Sequence, residues 1–327
     1  MKDWFLLFRP WSYVATFVPF LVAAGITTGL HPQKGDVCWG YWALGLVSGL
    51  LFQATVNLLN TWGDERSGVD DVPGAIRTTP QIHDGLVSMR ALLVAAIACA
   101  ALAAALGVVL CFYREGDVWR LNAPLLVAGF IGFLGSTNYS TGIKFKYRGL
   151  GVPFVSFLMG PLEIFVALAL LSPTFARESL LMLVVVPPFL LGAILLTLPI
   201  AALVGVIMHG NDMRDIPTDR AAGIVTLASR LGPKGALGYY RVCHTLPYGV
   251  TLCLIAFSCF RYGYFTWTCF WFALPLLALP LSVRTVAVAT KVYRNRPKNP
   301  PWRGLERASG AVLLVYGTLY AISFALA

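Results

Sequence analysis

The sequence feature that most constrains the fold is a run of 30 residues, 179–208, without a single charged side chain. At 1.5 Å per residue, a helix of this length measures about 45 Å, which exceeds the roughly 30 Å hydrocarbon core of a bilayer. Hydrophobic residues make up 57% of the chain and charged residues only 12%, whereas a soluble domain carries about 25% charge. The sequence therefore predicts an integral membrane protein.

Charge-free runs divide the chain into nine candidate membrane helices. They are predicted at 10–31, 38–61, 91–112, 121–141, 150–172, 179–208, 242–260, 262–283 and 307–327. The predicted fold is thus all-α, a single polytopic membrane domain over residues 1–327. Acidic residues concentrate in two loops, 57–84 and 209–232, which follow the second and the sixth helix. Because these loops are four helices apart, we expect two four-helix pseudo-repeats plus one final helix around a central cavity.

The positions of Lys and Arg residues predict the orientation in the membrane. In the nine-helix arrangement, twenty of the 25 basic residues fall on the side of the N-terminus, which the positive-inside rule assigns to the cytoplasm. The net charge of +10 is explained in this way and indicates contact with the lipid bilayer, not with nucleic acid. We expect the bacterial inner (cytoplasmic) membrane, with a cytoplasmic N-terminus and cytoplasmic acidic loops, and we infer no protein partner.

The first acidic stretch begins while the second helix is still running. Asn57, Asn60 and Asp64 are spaced so that they share one helix face. Gly68 follows shortly and can end the helix, which would let Asp70 fold back toward the same point. The stretch therefore predicts a group of amide and carboxylate oxygens at the end of this helix.

The second acidic stretch repeats this spacing with three carboxylates, Asp212, Asp215 and Asp219. Like charges stacked on one helix face repel each other unless a cation lies between them. Mg²⁺ prefers oxygen ligands, takes one or two carboxylates and bridges to substrate phosphates. Two such stretches facing each other could hold a diphosphate through Mg²⁺. The predicted metal ligands are Asp64, Asp70, Asp212, Asp215 and Asp219.

Basic and amide side chains near the two loops are candidates to bind the diphosphate oxygens. They are Arg9, Asn57, Asn60, Arg77, Lys144, Lys146, Arg148 and Arg220. For each basic residue, anchoring to lipid headgroups is an equally open explanation.

Glu163 is the one acidic residue inside a predicted membrane helix. Ionisable side chains in such positions are costly and usually functional, so Glu163 joins the five carboxylates above in the predicted catalytic set. An interior carboxyl satisfied by a neighbouring Tyr or Ser is the alternative. Gln53, Asn138 and Tyr139 are polar groups on predicted helices two and four that we expect to face the cavity and contact an acceptor.

Two longer patterns contain these residues. The first is Asn57-x-x-Asn60-Thr61-x-x-Asp64-x-x-x-Gly68-x-Asp70, and the second is Asn211-Asp212-x-Arg214-Asp215-x-x-x-Asp219-Arg220-x-x-Gly223-x-x-Thr226-Leu227. Together with Arg9-Pro10 and the segment from Tyr139 to Gly151, they resemble the motifs of the UbiA superfamily of intramembrane prenyltransferases. The resemblance looks strongest to the MenA branch, 1,4-dihydroxy-2-naphthoate polyprenyltransferase, and its vertebrate relative that makes menaquinone-4.

The resemblance implies Mg²⁺-dependent transfer of a polyprenyl chain from polyprenyl diphosphate to 1,4-dihydroxy-2-naphthoate. Loss of CO₂ and diphosphate would give demethylmenaquinol, in menaquinone biosynthesis. Thr61 stands where many bacterial members have an acidic residue, so other acceptors stay open: 4-hydroxybenzoate, homogentisate, haem or a lipid alcohol. A membrane transporter is the non-enzyme alternative, because internal repeats and charges at membrane depth also occur in transporters.

Overall fold

The computed structural model describes residues 2–30, 37–67, 80–115, 117–139, 142–173, 187–262, 266–295 and 302–327. Within these ranges the helices are α1 Lys2–Phe8, α2 Val14–Leu30, α3 Trp39–Ser67, α4 Pro80–His83, α5 Met89–Leu110, α6 Ala123–Asn138, α7 Gly151–Phe157, α8 Glu163–Leu171, α9 Pro187–Ala221, α10 Leu227–Tyr262, α11 Trp267–Phe272, α12 Leu279–Arg294 and α13 Leu305–Leu326. The strands are β1 Phe112–Glu115 and β2 Val118–Leu121.

Most of these helices are membrane spans. Among the described residues, seven helical stretches are long and apolar enough to cross a membrane. The helices Asp3–Ser12 and Val14–Gly29 meet at a bend of 41° and make an eighth span if the pair is counted as one, and α6 is a shorter apolar helix. This set agrees approximately with the nine predicted helices, and the all-α membrane class is confirmed.

The packing of the helices follows the predicted division into two units. The most extensive contacts join α3 to α5 and α9 to α10, which are the second and third spans of each unit. The first spans of the two units meet where α2 packs on α8, and α13 packs on both α2 and α9. The largest group of buried side chains lies among α2, α8, α9, α10 and α13.

Glycines let α2 and α13 approach each other closely. A Cβ on Gly25 would overlap the backbone of Ala321, and one on Gly317 would overlap the side chain of Val18. Small residues at such crossings are how membrane helices gain packing contacts where lipid supplies no hydrophobic driving force. The crossing fixes α13, so that Arg307 near its start lies over the Trp11 ring at the bend between α1 and α2, 5.2 Å from the ring centroid.

Helices α9 and α10 extend further than predicted. The sixth predicted helix ended at residue 208, but α9 continues to Ala221. The seventh was predicted to begin at residue 242, but α10 begins at Leu227 and contains one non-helical residue, Gly232, with φ 66°. Charged residues marked helix ends in the sequence, whereas a helix longer than the bilayer can carry charges on turns that project from it. Most of the predicted acidic loop 209–232 is therefore helical.

A small antiparallel hairpin is a further departure from the predicted pattern. In β1 and β2, Phe112 pairs with Leu121 and Glu115 with Val118. The strands are rich in aromatic and β-branched residues, which favour extended structure, and only two residues connect them. The hairpin lies between α5 and α6 and stays largely exposed.

Candidate active site

A polar cavity of about 450 Å³ brings the two acidic stretches together. Its walls come from the bend between α1 and α2, from α3, α9 and the start of α13, and from the segment between α6 and α7. Ten of the predicted site residues line it: Arg9, Gln53, Asn57, Asn60, Asp64, Tyr139, Lys146, Asp212, Asp215 and Asp219. The structure thus places both motifs on one cavity although they are far apart in sequence.

The first motif lies on the last turns of α3, where helical spacing turns its polar side chains to one face. Lys146 Nζ donates to Asn60 Oδ1 at 2.9 Å and to the two oxygens of Asp64 at 2.7 and 2.9 Å. The Tyr147 hydroxyl donates to Asp64 Oδ1 at 2.7 Å. One lysine therefore bridges the amide and the carboxylate of the motif, and its positive charge balances the negative charge of Asp64.

Asn57 connects the first motif to the bend between α1 and α2. Its Nδ2 donates to the Phe8 carbonyl at 2.8 Å and to Ser12 Oγ at 2.9 Å. At the same bend Arg9 has φ 51°, a left-handed conformation that is uncommon outside glycine, and its guanidinium donates to Thr61 Oγ1 at 3.3 Å. Arg9 is thereby directed at the cavity from the end of α1.

The segment 142–150 is positioned by contacts with two other parts of the chain. The Lys146 backbone N–H donates to the Tyr139 carbonyl at 3.0 Å. Arg148 forms a parallel β-bridge with Val225, and its carbonyl accepts from the Arg230 guanidinium at 3.0 Å. These contacts hold residues 142–150 in place, against the end of α6 on one side and against the connection from α9 to α10 on the other. In this position the Lys146 side chain enters the cavity.

The second motif presents three carboxylates along α9. Asp212 and Asp219 are only 8% and 6% exposed, although both line the cavity. Asp219 Oδ2 accepts from the Thr226 hydroxyl at 3.1 Å, and Asp215 accepts two hydrogen bonds at 2.7 Å from Arg214. Among the residues that the structure describes, none donates a hydrogen bond to Asp212.

The electrostatic surroundings of Asp212 suit a cation. Its negative neighbours are Asp219 and Asp215, and the positive side chain with the strongest influence on it is that of Lys146. A buried carboxylate is stable only when it is paired or coordinated. Within the described ranges, however, no three acidic, His or Cys side chains lie close enough to hold a metal by themselves. Any metal at this site therefore needs further oxygen ligands.

Some predicted site residues lie outside the cavity wall. Lys144, Arg148 and Arg220 are exposed, and the Arg220 guanidinium donates instead to the Ser229 carbonyl at 3.1 Å. Asn138 uses its amide to bond the Leu134 carbonyl and the Ile143 N–H. The geometry gives these four no support as site residues. Asp70 and Arg77 fall outside the described residues.

A second cavity of about 410 Å³ is almost entirely apolar and contains Glu163. It lies among α2, α3, α5, α6, α7 and α8. The two cavities share the wall residues Gln53, Val56, Tyr139, Val155 and Met159. Glu163, which was predicted to act with the Asp residues, therefore lies in the adjoining apolar chamber and not beside them.

Sequence reasoning missed several residues of the polar cavity. They are Ser12, Gln81, Thr218, Glu306 and Arg307, which line it, and Tyr147, which bonds Asp64. Tyr147 stands within a motif that the sequence singled out, so a polar partner for Asp64 could have been sought there. Glu306 and Arg307 open the last helix, where only the tertiary fold reveals that they face the cavity.

Comparison with known proteins agrees with this geometry. The model of the UbiA prenyltransferase family matches residues 13–303. The human UbiA prenyltransferase domain-containing protein 1 is 26% identical over 328 residues, which is 98% of this chain and 83% of the human one. The protein of the same name from Danio rerio is 29% identical over 281 residues, 85% of this chain and 72% of that one.

Solved structures show the same fold. A UbiA homolog from Archaeoglobus fulgidus, bound to GPP and Mg²⁺, has a TM-score of 0.61 at 15% identity and covers 98% of this chain and 99% of its own. A UbiA homolog from Aeropyrum pernix K1 in the apo state has a TM-score of 0.61 at 16% identity, over 93% and 96% of the two chains.

These comparisons settle the family but not the branch. The two relatives compared by sequence come from animals, so the MenA assignment and the bacterial membrane stay predictions. The transporter alternative is set aside, because the family match extends over most of the chain. With both acidic motifs on one cavity inside a membrane bundle, the chain belongs to the UbiA prenyltransferase family and is an integral membrane prenyltransferase.

Proposed function

We propose that the protein transfers a polyprenyl chain from polyprenyl diphosphate to 1,4-dihydroxy-2-naphthoate in a Mg²⁺-dependent reaction. Carbon dioxide and diphosphate leave, and the product is demethylmenaquinol. The observation that carries this proposal is the pair of adjoining cavities, one lined by carboxylates and bases and the other apolar. The diphosphate group requires a polar environment, and the hydrocarbon chain and the aromatic ring that it joins require an apolar one beside it.

The donor set of the polar cavity fits Mg²⁺. Asp212, Asp215 and Asp219 on α9 and Asp64 on α3 supply carboxylate oxygens, and Asn60 adds an amide oxygen. Mg²⁺ typically takes one or two carboxylates and completes its coordination with water and substrate phosphate. When bound, Mg²⁺ would stabilise the negative charge of the leaving diphosphate. The A. fulgidus homolog, bound to GPP and Mg²⁺, supports this proposal.

The cationic side chains of the cavity would bind the diphosphate oxygens directly. Lys146 enters from the segment between α6 and α7, Arg9 from the end of α1, and Arg307 from the start of α13. In the structure Lys146 is paired with Asp64. A diphosphate would compete with this carboxylate for the ammonium group, because charge-assisted hydrogen bonds to phosphate are strong. Lys146 would then move its hydrogen bonds from Asp64 to the substrate.

Tyr139 is the side chain best placed to act where the two cavities meet. It lines both of them, is 3% exposed, and its hydroxyl is buried without a hydrogen-bond partner among the described residues. The aromatic face could stabilise the allylic cation that forms as the diphosphate leaves. The apolar chamber would exclude water from this cation until the acceptor carbon attacks.

The experiment that tests the proposal uses the purified protein in nanodiscs. A labelled polyprenyl diphosphate and Mg²⁺ are supplied with 1,4-dihydroxy-2-naphthoate, 4-hydroxybenzoate, homogentisate, haem or a lipid alcohol, and EDTA is the control. We expect a prenylated, decarboxylated naphthoquinol that requires both metal and dihydroxynaphthoate. A product formed only with another acceptor would replace the proposed acceptor. Product formation that persists in EDTA would contradict the metal requirement.

The proposed orientation places the N-terminus and the polar cavity on the cytoplasmic side, in the inner membrane of a bacterium. The excess of basic residues on that side supports it. A membrane-impermeant thiol reagent tests it in intact cells. The seven native Cys residues are first replaced, and one Cys is then placed at the exposed Asp84 or at the exposed Trp119 of β2. Labelling should reach position 119 and not position 84, and the opposite pattern would reverse the orientation.

A further inference from the structure

The apolar cavity contains two polar atoms that nothing in the described ranges satisfies. Thr16 Oγ1 and Glu163 Oε2 are both buried and have no hydrogen-bond partner there. The Thr16 hydroxyl lies close enough to the Glu163 carboxyl to act on it as a weak donor, but no hydrogen bond of standard distance and angle joins the two side chains. Both border Gly49, since a Cβ at that position would lie 3.0 Å from Thr16 Cγ2 and 3.4 Å from Glu163 Oε1. A carboxyl and a hydroxyl thus flank one point of the cavity wall.

The local structure at Glu163 supports a ligand site. A π-helical turn, Leu158–Leu162, directly precedes Glu163 and contains Pro161. Such turns insert an extra residue into a helix and are frequent at functional sites. A buried polar atom without a partner costs free energy that the fold must offset. An apolar residue would avoid this cost, so a hydrogen-bonding ligand gives Glu163 and Thr16 a physical role.

The chemistry of the two atoms selects the class of ligand. A polyprenyl chain is a hydrocarbon and has no group that could hydrogen-bond to either atom. A neutral hydroxyl on an aromatic ring could donate to the Glu163 carboxyl and accept from the Thr16 hydroxyl. The remaining wall, which includes Phe20, Phe52 and Leu162, is suited to the ring itself.

We propose that Glu163 and Thr16 form a recognition site for the ring hydroxyl of the aromatic acceptor. This inference rests on the proposed function and specifies where its second substrate binds. The shared wall supports the placement, because an acceptor held at Glu163 extends toward Met159 and Tyr139, where the apolar and polar cavities adjoin. The carbon to be alkylated would then face the diphosphate from the apolar side.

Equilibrium dialysis tests the site without requiring catalysis. Nanodiscs that contain the protein are dialysed against 1-naphthol or 1-methoxynaphthalene, with empty nanodiscs as the blank for partition into lipid. The wild type should bind 1-naphthol about tenfold more tightly than the ether, the equivalent of one hydrogen bond. Glu163→Leu and Thr16→Val should each remove most of this preference. Glu163→Gln, which keeps a carbonyl oxygen, should restore part of it.

A matched control variant separates recognition from structural damage. Thr55→Val also removes a hydroxyl from a Thr that is 1% exposed, but that hydroxyl bonds the Leu51 carbonyl of its own helix at 2.9 Å. Its preference for 1-naphthol should equal that of the wild type. If Glu163→Leu does not fold, Thr16→Val and Gly49→Ala are tested in its place. The added Cβ of Gly49→Ala narrows the cavity beside Thr16 and Glu163, so this variant should also lose preference for 1-naphthol.

Kinetics distinguish this inference from the proposed function. With an active wild type, Thr16→Val should raise KM for the acceptor about tenfold and leave KM for the polyprenyl diphosphate unchanged. A changed preference for prenyl chain length, with acceptor KM unaltered, would show that Thr16 and Glu163 contact the chain and not the acceptor, and would overturn the inference. If the wild type transfers no prenyl group yet prefers 1-naphthol at Glu163, the proposed function fails and the site stands. An equal affinity for the two naphthalenes would overturn the site.

Discussion

The two acidic motifs face the same cavity, but their carboxylates are held differently. On α3, Asp64 accepts hydrogen bonds from Lys146 and Tyr147, which both belong to the segment between α6 and α7. On α9, Asp212 receives none from the described residues, and Asp215 is held by its neighbour Arg214. The first motif is therefore coupled to a connecting segment, whereas the second leaves a buried carboxylate available to a cation. The following predictions test this difference, from the largest expected effect to the smallest.

Asp212→Asn should have the largest effect. It removes the charge of the carboxylate that lacks a donor, so turnover should fall on the order of 100-fold, as expected when a metal loses a ligand that holds it. The unfolding temperature should stay the same or rise, since repulsion by Asp215 and Asp219 is relieved. Turnover is measured at saturating Mg²⁺, and melting in the same detergent. The control is Asp117→Asn, at an exposed position of the hairpin connection. Equal turnover in the two variants would show that the proposed difference between the two motifs is wrong.

Lys146→Met should have the next largest effect, because it removes the cation that pairs with Asp64 and is proposed to bind diphosphate. We expect kcat/KM to fall about 30-fold, in the range found for a charge-assisted hydrogen bond, with most of the change in KM for polyprenyl diphosphate. Lys146→Arg should recover part of it. The exposed Lys234 on α10 supplies the control variant Lys234→Met. An unchanged KM would show that Lys146 serves only to neutralise Asp64.

Tyr147→Phe removes one neutral donor from Asp64 and leaves Lys146 in place. Loss of such a hydrogen bond costs roughly 1 kcal/mol, or about fivefold in rate. Steady-state kinetics should show this decrease, and Tyr113→Phe in β1 should show none. A decrease as large as that of Lys146→Met would mean that the hydroxyl, and not the ammonium group, controls the first motif.

Thr226→Val should have the smallest effect on turnover. It removes the hydroxyl that donates to Asp219 Oδ2. Asp219 lies close to the two other carboxylates of its motif, and we expect turnover to decrease about threefold. Its effect on stability should be larger, because Thr226 Oγ1 also accepts from the Ser229 N–H at the start of α10, and loss of such a cap costs about 1 kcal/mol. Thr226→Ser keeps both bonds and should restore turnover and melting temperature. A melting temperature of Thr226→Val equal to that of the wild type would contradict the capping role.

The segment 142–150 shows where sequence reasoning reached its limit. Lys144, Lys146 and Arg148 were equivalent candidates, because all three are basic and closely spaced. Only Lys146 lines the cavity. The backbone at Lys144 has φ 58°, and Arg148 is tied to Val225 by a β-bridge. These conformations depend on contacts with α6 and with the α9–α10 connection, which no local pattern encodes.

The acidic motifs themselves were predictable. The spacing of Asn57, Asn60 and Asp64 implies one helix face wherever the helix continues, and α3 does continue to Ser67. The same holds for the Asp residues of α9. Glu163 is the opposite case. A carboxyl inside a predicted membrane helix marked it as unusual, but the sequence could not predict which residues surround it. The fold puts it beside Thr16 and Gly49 in the apolar chamber.

The sequence by itself determined the membrane class, the approximate set of spans and the positions of both acidic motifs. Hydrophobicity and helical periodicity are local properties, so they can be read along the chain. The tertiary structure alone decided that Lys146 bonds Asp64, 82 residues away, and that Glu163 is separated from the Asp residues. Such pairings depend on which helices pack together and at what depth, and therefore on contacts between distant parts of the chain.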